Sequence, residues 1–188
     1  MLVQSDRVVV GYHGTSARYA RDILNRGEYR ASQNDYDWLG RGVYFWEHAP
    51  YRAWDWARYK YGSEAAVLES LIRLGRCLDL TDIRYTDAIK QAFDGLREAY
   101  AFKNIDLPRN RGKARRLDCL VINYVAEFVF PDCETVRAPF LEGPPFFEGS
   151  AILSESHIQV VVRKTQEIIP SIKDAHPLDG DPSGGKRS

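Results

Sequence analysis

The sequence predicts a single domain that mixes β-strands with α-helices. Its 188 residues are enough for one domain with a sizeable hydrophobic core. Runs of β-branched residues at 7–12 and 157–163 predict buried strands near the two ends of the chain. Between these runs, residues 86–102 and 117–129 carry apolar side chains at helical spacing, which predicts two amphipathic helices.

The composition argues against a membrane protein and against a protein with an overall positive charge for binding nucleic acid. Hydrophobic residues make up 44% of the chain and charged residues 28%, as in soluble globular proteins. Basic and acidic residues number 26 each, so any contact with nucleic acid needs a local patch. We find no apolar run of the roughly 18 residues that span a bilayer and no signal peptide. We therefore expect a cytoplasmic protein that contacts no membrane.

The three cysteines and four histidines show no metal-ligand spacing. Cys77, Cys119 and Cys133 are far apart in the chain, and no pair of histidines has a zinc-site spacing. We therefore expect no bound metal and a reducing compartment.

The first strand leads into a short polar motif and a helix. Residues 7–12 end at His13-Gly14-Thr15, after which Thr15 or Ser16 is suited to cap a helix. Gly27 fits the end of that helix. A polar loop at 31–38 follows.

Two glycines then open an aromatic segment at residues 39–47. Gly40 and Gly42 precede Tyr44, Phe45 and Trp46. Glycine adopts positive φ and lets another group approach the backbone closely. The pattern is typical of a strand after a tight turn, and equally of an aromatic platform for a flat heterocyclic ligand. Tyr44 points away from Phe45 in such a strand, which leaves Phe45 for the core.

The remaining segments are more varied. Pro50 suits the first turn of a second helix. Residues 65–74 fit either a helix, by propensity, or a buried strand, and residues 77–80 continue as an extended segment. We assign residues 1–172 to the folded domain. Residues 173–188, rich in Asp, Pro, Gly and Ser, are assigned to a flexible C-terminal tail.

Three motifs together resemble the ADP-ribosyltransferases of the poly(ADP-ribose) polymerase and diphtheria-toxin type. They are His13-Gly14-Thr15, the Gly-x-Gly-Val-Tyr-Phe run that ends at Phe45, and a late strand in which Gln159 lies eleven positions before Pro170. The resemblance covers residues 8–170. It implies an α+β fold in which two packed antiparallel sheets surround an NAD cleft, with flanking helices and with 65–74 as a strand.

The resemblance also implies roles for the first two motifs. His13 matches the histidine that hydrogen-bonds a ribose of NAD, the co-substrate of this family. The backbone of Gly14 matches the group that holds the nicotinamide carboxamide, and Thr15 completes that binding motif. Tyr44 matches the aromatic residue that stacks on the nicotinamide ring.

A second stacking residue is implied on the following helix, where Trp54 and Trp56 are the candidates. The loop at 31–38 matches the loop that closes over the dinucleotide. Of the four tryptophans at 38, 46, 54 and 56, we expect most to belong to the core.

The third motif departs from the family pattern, because a glutamine replaces the usual glutamate. That glutamate orients the ribose 2′-OH and stabilises the positive charge of the oxocarbenium ion. Gln159 can do the first but has no charge for the second. Glu155 and His157 fall on the same strand face as Gln159, so any of the three fits the role. The substitution favours transfer of a single ADP-ribose over polymer elongation.

Two further segments are candidates for binding the acceptor. Arg109, Arg111 and Lys113 belong to a basic cluster that reads either as a solvated loop or as a patch for nucleic-acid phosphates. Phe146 and Phe147, in a Gly/Pro loop at 142–150, fit either an exposed pair that binds the acceptor or a satellite of the core.

The resemblance thus implies an NAD-dependent mono-ADP-ribosyltransferase that modifies a nucleic acid or a protein and releases nicotinamide. Small transferases of this kind often serve as toxins in toxin–antitoxin or phage-defence systems, so an antitoxin protein is a possible partner. The alternatives are an inactive module that binds NAD or ADP-ribose, and an NAD glycohydrolase.

Overall fold

The computed structural model describes residues 1–165 and 168–175. Its class is mixed α+β, as predicted. The strands are β1 (Gln4–Ser16), β2 (Val43–Glu47), β3 (Ala65–Asp79), β4 (Asn110–Arg111), β5 (Ala114–Arg115), β6 (Thr135–Phe140), β7 (His157–Val162) and β8 (Ile168–Asp174). The helices are α1 (Ala17–Arg26), α2 (Pro50–Tyr61), α3 (Thr86–Phe102) and α4 (Arg116–Tyr124).

The main sheet closes on itself. Its strands follow the order β1-β2-β7-β6-β3, and β3 pairs again with β1, while β8 lies on β3. The pairing of β3 with β6 is parallel and the others are antiparallel. The prediction of two separate packed sheets is therefore wrong. The length of β3 explains the difference. Its first part pairs with β1, and its last three residues, 77–79, pair with β6.

Capping residues and a proline define the boundaries of α1 and the start of α2. The side chain of Ser16 accepts a hydrogen bond from the Tyr19 amide, and Gly27 ends α1 with φ 71°. Pro50 opens α2, and α3 has the predicted bounds. The predicted helix at 117–129 is α4 followed by a π-helical turn, Val125–Val129.

Pairing decided the segments that local patterns left open. Residues 65–74 form a strand despite their helix propensity, because β1 pairs with them along most of their length. The strands β4, β5, β6 and β8 were not predicted. Strand β8 continues through Asp174, two residues into the predicted tail, and residues 176–188 lie outside the described residues.

Two apolar cores form on opposite faces of the sheet. The interior contains Phe45, Leu68 and Ile72, closed by α1 and Tyr29. The outer core lies between the sheet and α3, α4 and the π-helical turn, and a smaller cluster joins α2 to Trp46 and Val67. Among the described residues, no helix combines the length and apolarity needed to cross a bilayer.

One buried ionic group ties three strands together. Arg137 on β6 donates two hydrogen bonds to the Glu47 carboxylate on β2, at 2.7 and 2.9 Å, and also reaches Asp79 on β3 at 3.1 Å. The hydrogen bonds to Glu47 raise the pKa of Arg137 above its ordinary value, so the guanidinium stays charged.

Candidate functional site

The strands β1 and β2 separate at the first motif. Their pairing comprises only Gly11 with Glu47 and Tyr12 with Trp46. One residue further along β1, the Nδ1 atom of His13 lies 2.9 Å from the carbonyl oxygen of Tyr44. The His13 side chain thus links the two strands at the point where their backbone ladder ends.

The His13 ring lies on the interior face, on the side of the sheet opposite the Tyr44 ring. Its centroid is 5.2 Å from that of Tyr29 and 5.6 Å from that of Phe45. Burial lowers the pKa of His13, so the imidazole is neutral near pH 7. The sequence motif brings His13 to Tyr44, but the contact is with the Tyr44 backbone.

Gly14 and Thr15 occupy the end of β1 beneath α2. A Cβ atom at Gly14 would lie 2.7 Å from the Ala53 carbonyl oxygen and 3.1 Å from the Trp56 ring. The close approach that glycine allows here is therefore the approach of α2 to the strand. Thr15 is buried at the same end.

Tyr44 is anchored through its hydroxyl. The hydroxyl donates to the Gly40 carbonyl at 2.8 Å and accepts from the Leu39 amide at 3.1 Å. Burial raises the pKa of Tyr44 above its ordinary value, so the phenol stays protonated. Phe45, its neighbour, is fully buried on the other face, which confirms the predicted alternation.

The two glycines before Tyr44 form a tight turn against β7. Gly40 has φ 79° and Gly42 has φ 149°. A Cβ at Gly42 would collide with the Val161 side chain and lie 2.6 Å from the Val162 carbonyl oxygen. Gly42 thus lets the turn pack on β7, whereas a Cβ at Gly40 would meet the Asn123 side chain on α4.

Gln159 is the centre of a hydrogen-bond chain on the face that carries Tyr44 and Trp46. The Nε1 atom of Trp38 donates to its side-chain oxygen at 2.9 Å. Its amide nitrogen lies 3.0 Å from Nε2 of His157. Trp46 is paired directly with Gln159 across β2 and β7. This chain joins the loop at 31–38 to the late strand.

The tautomer of His157 follows from its two partners. Its Nδ1 atom lies 2.7 Å from the Glu155 carbonyl oxygen, which only accepts, so Nδ1 carries the proton. Nε2 then accepts from the Gln159 amide. Burial lowers the pKa of His157, with a further lowering by Arg52, and this favours the neutral ring.

Aromatic rings surround Gln159. The ring centroids of Trp46 and Trp56 are 5.5 Å apart, and Phe140 lies 5.3 Å from His157 and 4.8 Å from Trp38. We call Trp38, Trp46, Trp56, Phe140 and His157 the aromatic cluster. Trp46 and His157 are buried within it, and the Gln159 amide is held between Trp38 and His157.

Glu155 lies just before β7, and its carboxylate is held by Arg52 of α2. The Arg52 guanidinium is 3.2 Å from Glu155 and 2.7 Å from Glu142. These two carboxylates stand at the base of the loop that carries Phe146 and Phe147. Arg52 therefore fastens that loop to α2, and Glu155 faces Arg52 instead of sharing a strand face with Gln159.

The candidate acceptor residues are all exposed. Arg109, Arg111 and Lys113 lie on or next to the β4–β5 hairpin. Phe146 and Phe147 are 62% and 70% exposed, so they do not form a satellite core.

Of the two candidate stacking residues, only Trp56 joins the aromatic cluster, through Trp46. Trp54 packs in the α2 cluster, with the Arg58 guanidinium 5.5 Å from its ring.

Three members of the site were not predicted from the sequence. Trp38 is one of four tryptophans of which most were expected in the core, Phe140 lies on the unpredicted strand β6, and Arg52 belongs to no motif. Trp38 had one usable signal, its position at the end of the loop at 31–38. Phe140 reaches the site through the pairing of β6 with β7, and Arg52 through its ion pairs with Glu142 and Glu155, and neither contact has a local sequence signal.

The groups around Gln159 are neutral hydrogen-bonding side chains and aromatic rings, and the charged pair of Arg52 and Glu155 lies beside them. Burial favours the neutral form of His13 and His157 and keeps Tyr44 protonated. Among residues 1–165 and 168–175, no group of three His, Cys, Asp or Glu side chains is placed to hold a metal ion.

Comparison with curated proteins finds a relative in an archaeon. The chain is 31% identical over 122 residues to an uncharacterized protein of Methanocaldococcus jannaschii. The match covers 61% of this chain and 54% of the relative, so the chain spans about half the length of that protein. No family model matches the chain.

Proposed function

We propose that this protein is an NAD-dependent mono-ADP-ribosyltransferase that modifies a macromolecular acceptor. The observation that supports it best is the convergence of three distant motifs. His13 contacts the Tyr44 backbone, and Trp46, two residues on, is paired with Gln159. The three motifs, which are far apart in the chain, thus lie on the neighbouring strands β1, β2 and β7.

In the proposed reaction, the bond between nicotinamide and the ribose anomeric carbon breaks and nicotinamide leaves with the electron pair. An acceptor oxygen or nitrogen then bonds to that carbon and loses its proton. Tyr44 and the aromatic cluster bind the flat nicotinamide ring, and Gln159 hydrogen-bonds the ribose. Holding the reactants in position supplies most of the catalysis, since the leaving step needs no enzyme nucleophile.

The direct test measures nicotinamide release from NAD by chromatography, with the purified full chain and a cell lysate as acceptor source. Tyr44→Ala and Gln159→Ala are expected to lower release at least tenfold, on the order of one lost substrate hydrogen bond or ring contact. Gln159→Glu is expected to raise NAD hydrolysis, because a carboxylate stabilises the oxocarbenium charge.

Gln91→Glu on the exposed face of α3 is the matched control, since it makes the same chemical change away from the site. Nicotinamide release without label transfer would identify an NAD glycohydrolase. NAD binding without release would identify a binding module. Absence of NAD binding in a folded protein would refute the proposal.

A further inference from the structure

Basic side chains and exposed aromatic rings alternate along one surface beside the candidate site. The hairpin residue Lys113 places its Nζ atom 4.8 Å from the ring centroid of Tyr59 on α2. On the same helix, Lys60 lies 4.7 Å from the Trp56 ring. The hairpin thus joins α2 through a cation–π contact, although the two elements are some fifty residues apart.

The surface continues on the other side of the hairpin. The backbone amide of Arg115 donates to the Tyr36 carbonyl oxygen at 3.0 Å. The Arg116 guanidinium lies 5.9 Å from the Tyr36 ring and 3.2 Å from the Asp35 carboxylate. We call the residues Tyr36, Trp56, Tyr59, Lys60, Arg111 and Lys113 the hairpin surface.

Positive charge is concentrated there although the protein has no net charge. Within the described part of the chain, the ion pairs do not include Lys60, Arg111 or Lys113, whereas many other basic residues are paired with carboxylates. The charges of these three side chains are therefore not neutralised locally, and anionic ligands are attracted to this surface.

The aromatic rings on this surface are accessible. Tyr59 is 81% exposed, Tyr36 is 44% exposed and Trp56 is 36% exposed. Exposed rings between lysine and arginine side chains match the chemistry of single-stranded nucleic acid, in which bases stack on rings while phosphates contact the cations. A duplex keeps its base faces stacked inside and offers only phosphates to such a surface.

The hairpin surface also reaches the candidate site. Trp56 belongs to both, since its ring lies 5.5 Å from that of Trp46, which is paired with Gln159. A nucleic-acid strand bound along the hairpin surface therefore also contacts the edge of the aromatic cluster.

We infer that the hairpin surface binds single-stranded nucleic acid and presents it to the site as the acceptor. Binding rests on the surface alone, whereas the role as acceptor rests on the proposed function. The exposed groups are cations and aromatic rings in alternation, and this arrangement favours nucleic acid over protein as the ligand.

The test measures binding by fluorescence anisotropy of fluorescein-labelled 12-nucleotide single-stranded RNA and DNA, without NAD, at several salt concentrations. We expect binding that weakens as salt rises, with a shallower salt dependence for Lys113→Glu because a phosphate contact is lost. Tyr59→Ala should weaken binding roughly tenfold through loss of base stacking. The 12-base-pair duplex should bind more weakly than either single strand.

Lys90→Glu and Phe102→Ala are the matched controls, since both residues are exposed on α3. Equal effects of Lys90→Glu and Lys113→Glu, or salt-independent binding, would overturn the inference. So would transfer of label from NAD to protein alone. Failure of the two proposals is distinguishable: oligonucleotide binding without NAD consumption contradicts only the proposed function, and NAD consumption without oligonucleotide binding contradicts only this inference.

Discussion

At the scale of single residues, burial determines the charge of the two histidines in the candidate site. His13 and His157 both have a pKa below the ordinary value, because burial disfavours the imidazolium ion. The His13 ring is held by the Tyr44 carbonyl, and the His157 ring is held between the Glu155 carbonyl and the Gln159 amide. Protonation of His157 at Nε2 would remove the acceptor that orients Gln159.

The two histidines make stability depend on pH in a defined direction. Because their pKa values are lower in the folded state, the unfolded chain binds more protons as pH falls below about 6.5. Their contribution is fully present above that pH and is lost as pH falls toward the folded-state pKa. We expect the wild-type Tm to drop between pH 7.5 and 5.5.

The drop should be smaller in His157→Asn. His48→Asn, at an exposed position, is the control. Calorimetry at the two pH values measures the effect. An identical drop in wild type and His157→Asn would show that His157 does not supply the linked proton.

At the scale of elements, the turn before β2 depends on glycine for packing against β7. The two glycines before Tyr44 fitted either a tight turn or the close approach of a ligand. In the structure, both Gly40 and Gly42 have a packing role. The turn also holds the hydroxyl of Tyr44 through the Gly40 carbonyl. Its geometry therefore controls where Tyr44 lies in the site.

Two glycine-to-alanine substitutions should have opposite effects. In Gly42→Ala, the alanine must adopt the positive φ of Gly42 and its Cβ collides with β7. We therefore expect the free energy of unfolding to fall by more than about 1 kcal/mol. Gly95→Ala, in the middle of α3 with no neighbouring atom within 4 Å of the new Cβ, should stabilise by about 0.5–1 kcal/mol. Urea denaturation measures both, and a stabilising Gly42→Ala would contradict the packing role.

At the scale of the whole molecule, closure of the sheet places charge in its interior. Arg137, Glu47 and Asp79 come from three strands that are far apart in sequence, and the Arg137 and Glu47 side chains are each 7% exposed. A buried pair contributes little net stability but is costly to break, because the remaining charge stays buried. The ionic group therefore favours one arrangement of β2, β3 and β6.

Removing one partner tests this. Glu47→Gln is expected to lower the free energy of unfolding by about 3 kcal/mol, since the Arg137 guanidinium loses a bidentate carboxylate. Glu64→Gln, on an exposed 3-10 turn, is the control and should change it by less than about 0.5 kcal/mol. Equal stabilities of the two variants would show that leaving Arg137 without the Glu47 carboxylate carries no cost.

The helices and their ends follow from local sequence. The signals that bound α1 and open α2 lie within one helical turn of the boundary, at Ser16, Gly27 and Pro50. These boundaries can therefore be predicted from sequence alone. The alternation of Tyr44 and Phe45 is local in the same sense. The motifs also predict a site at Gln159 and near His13, which stays a prediction.

Tertiary structure alone decided the remaining features. Strand β3 forms against its helix propensity because β1 pairs along it, and closure through β3 turns two expected sheets into one. Trp38 reaches Gln159 across 121 positions, a contact that no local pattern encodes. Local sequence determines the conformation of a few residues at a time. The pairing of strands that are distant in the chain decides which strand faces and side chains come together. The candidate site lies where those strands meet, so its contacts depend on tertiary structure.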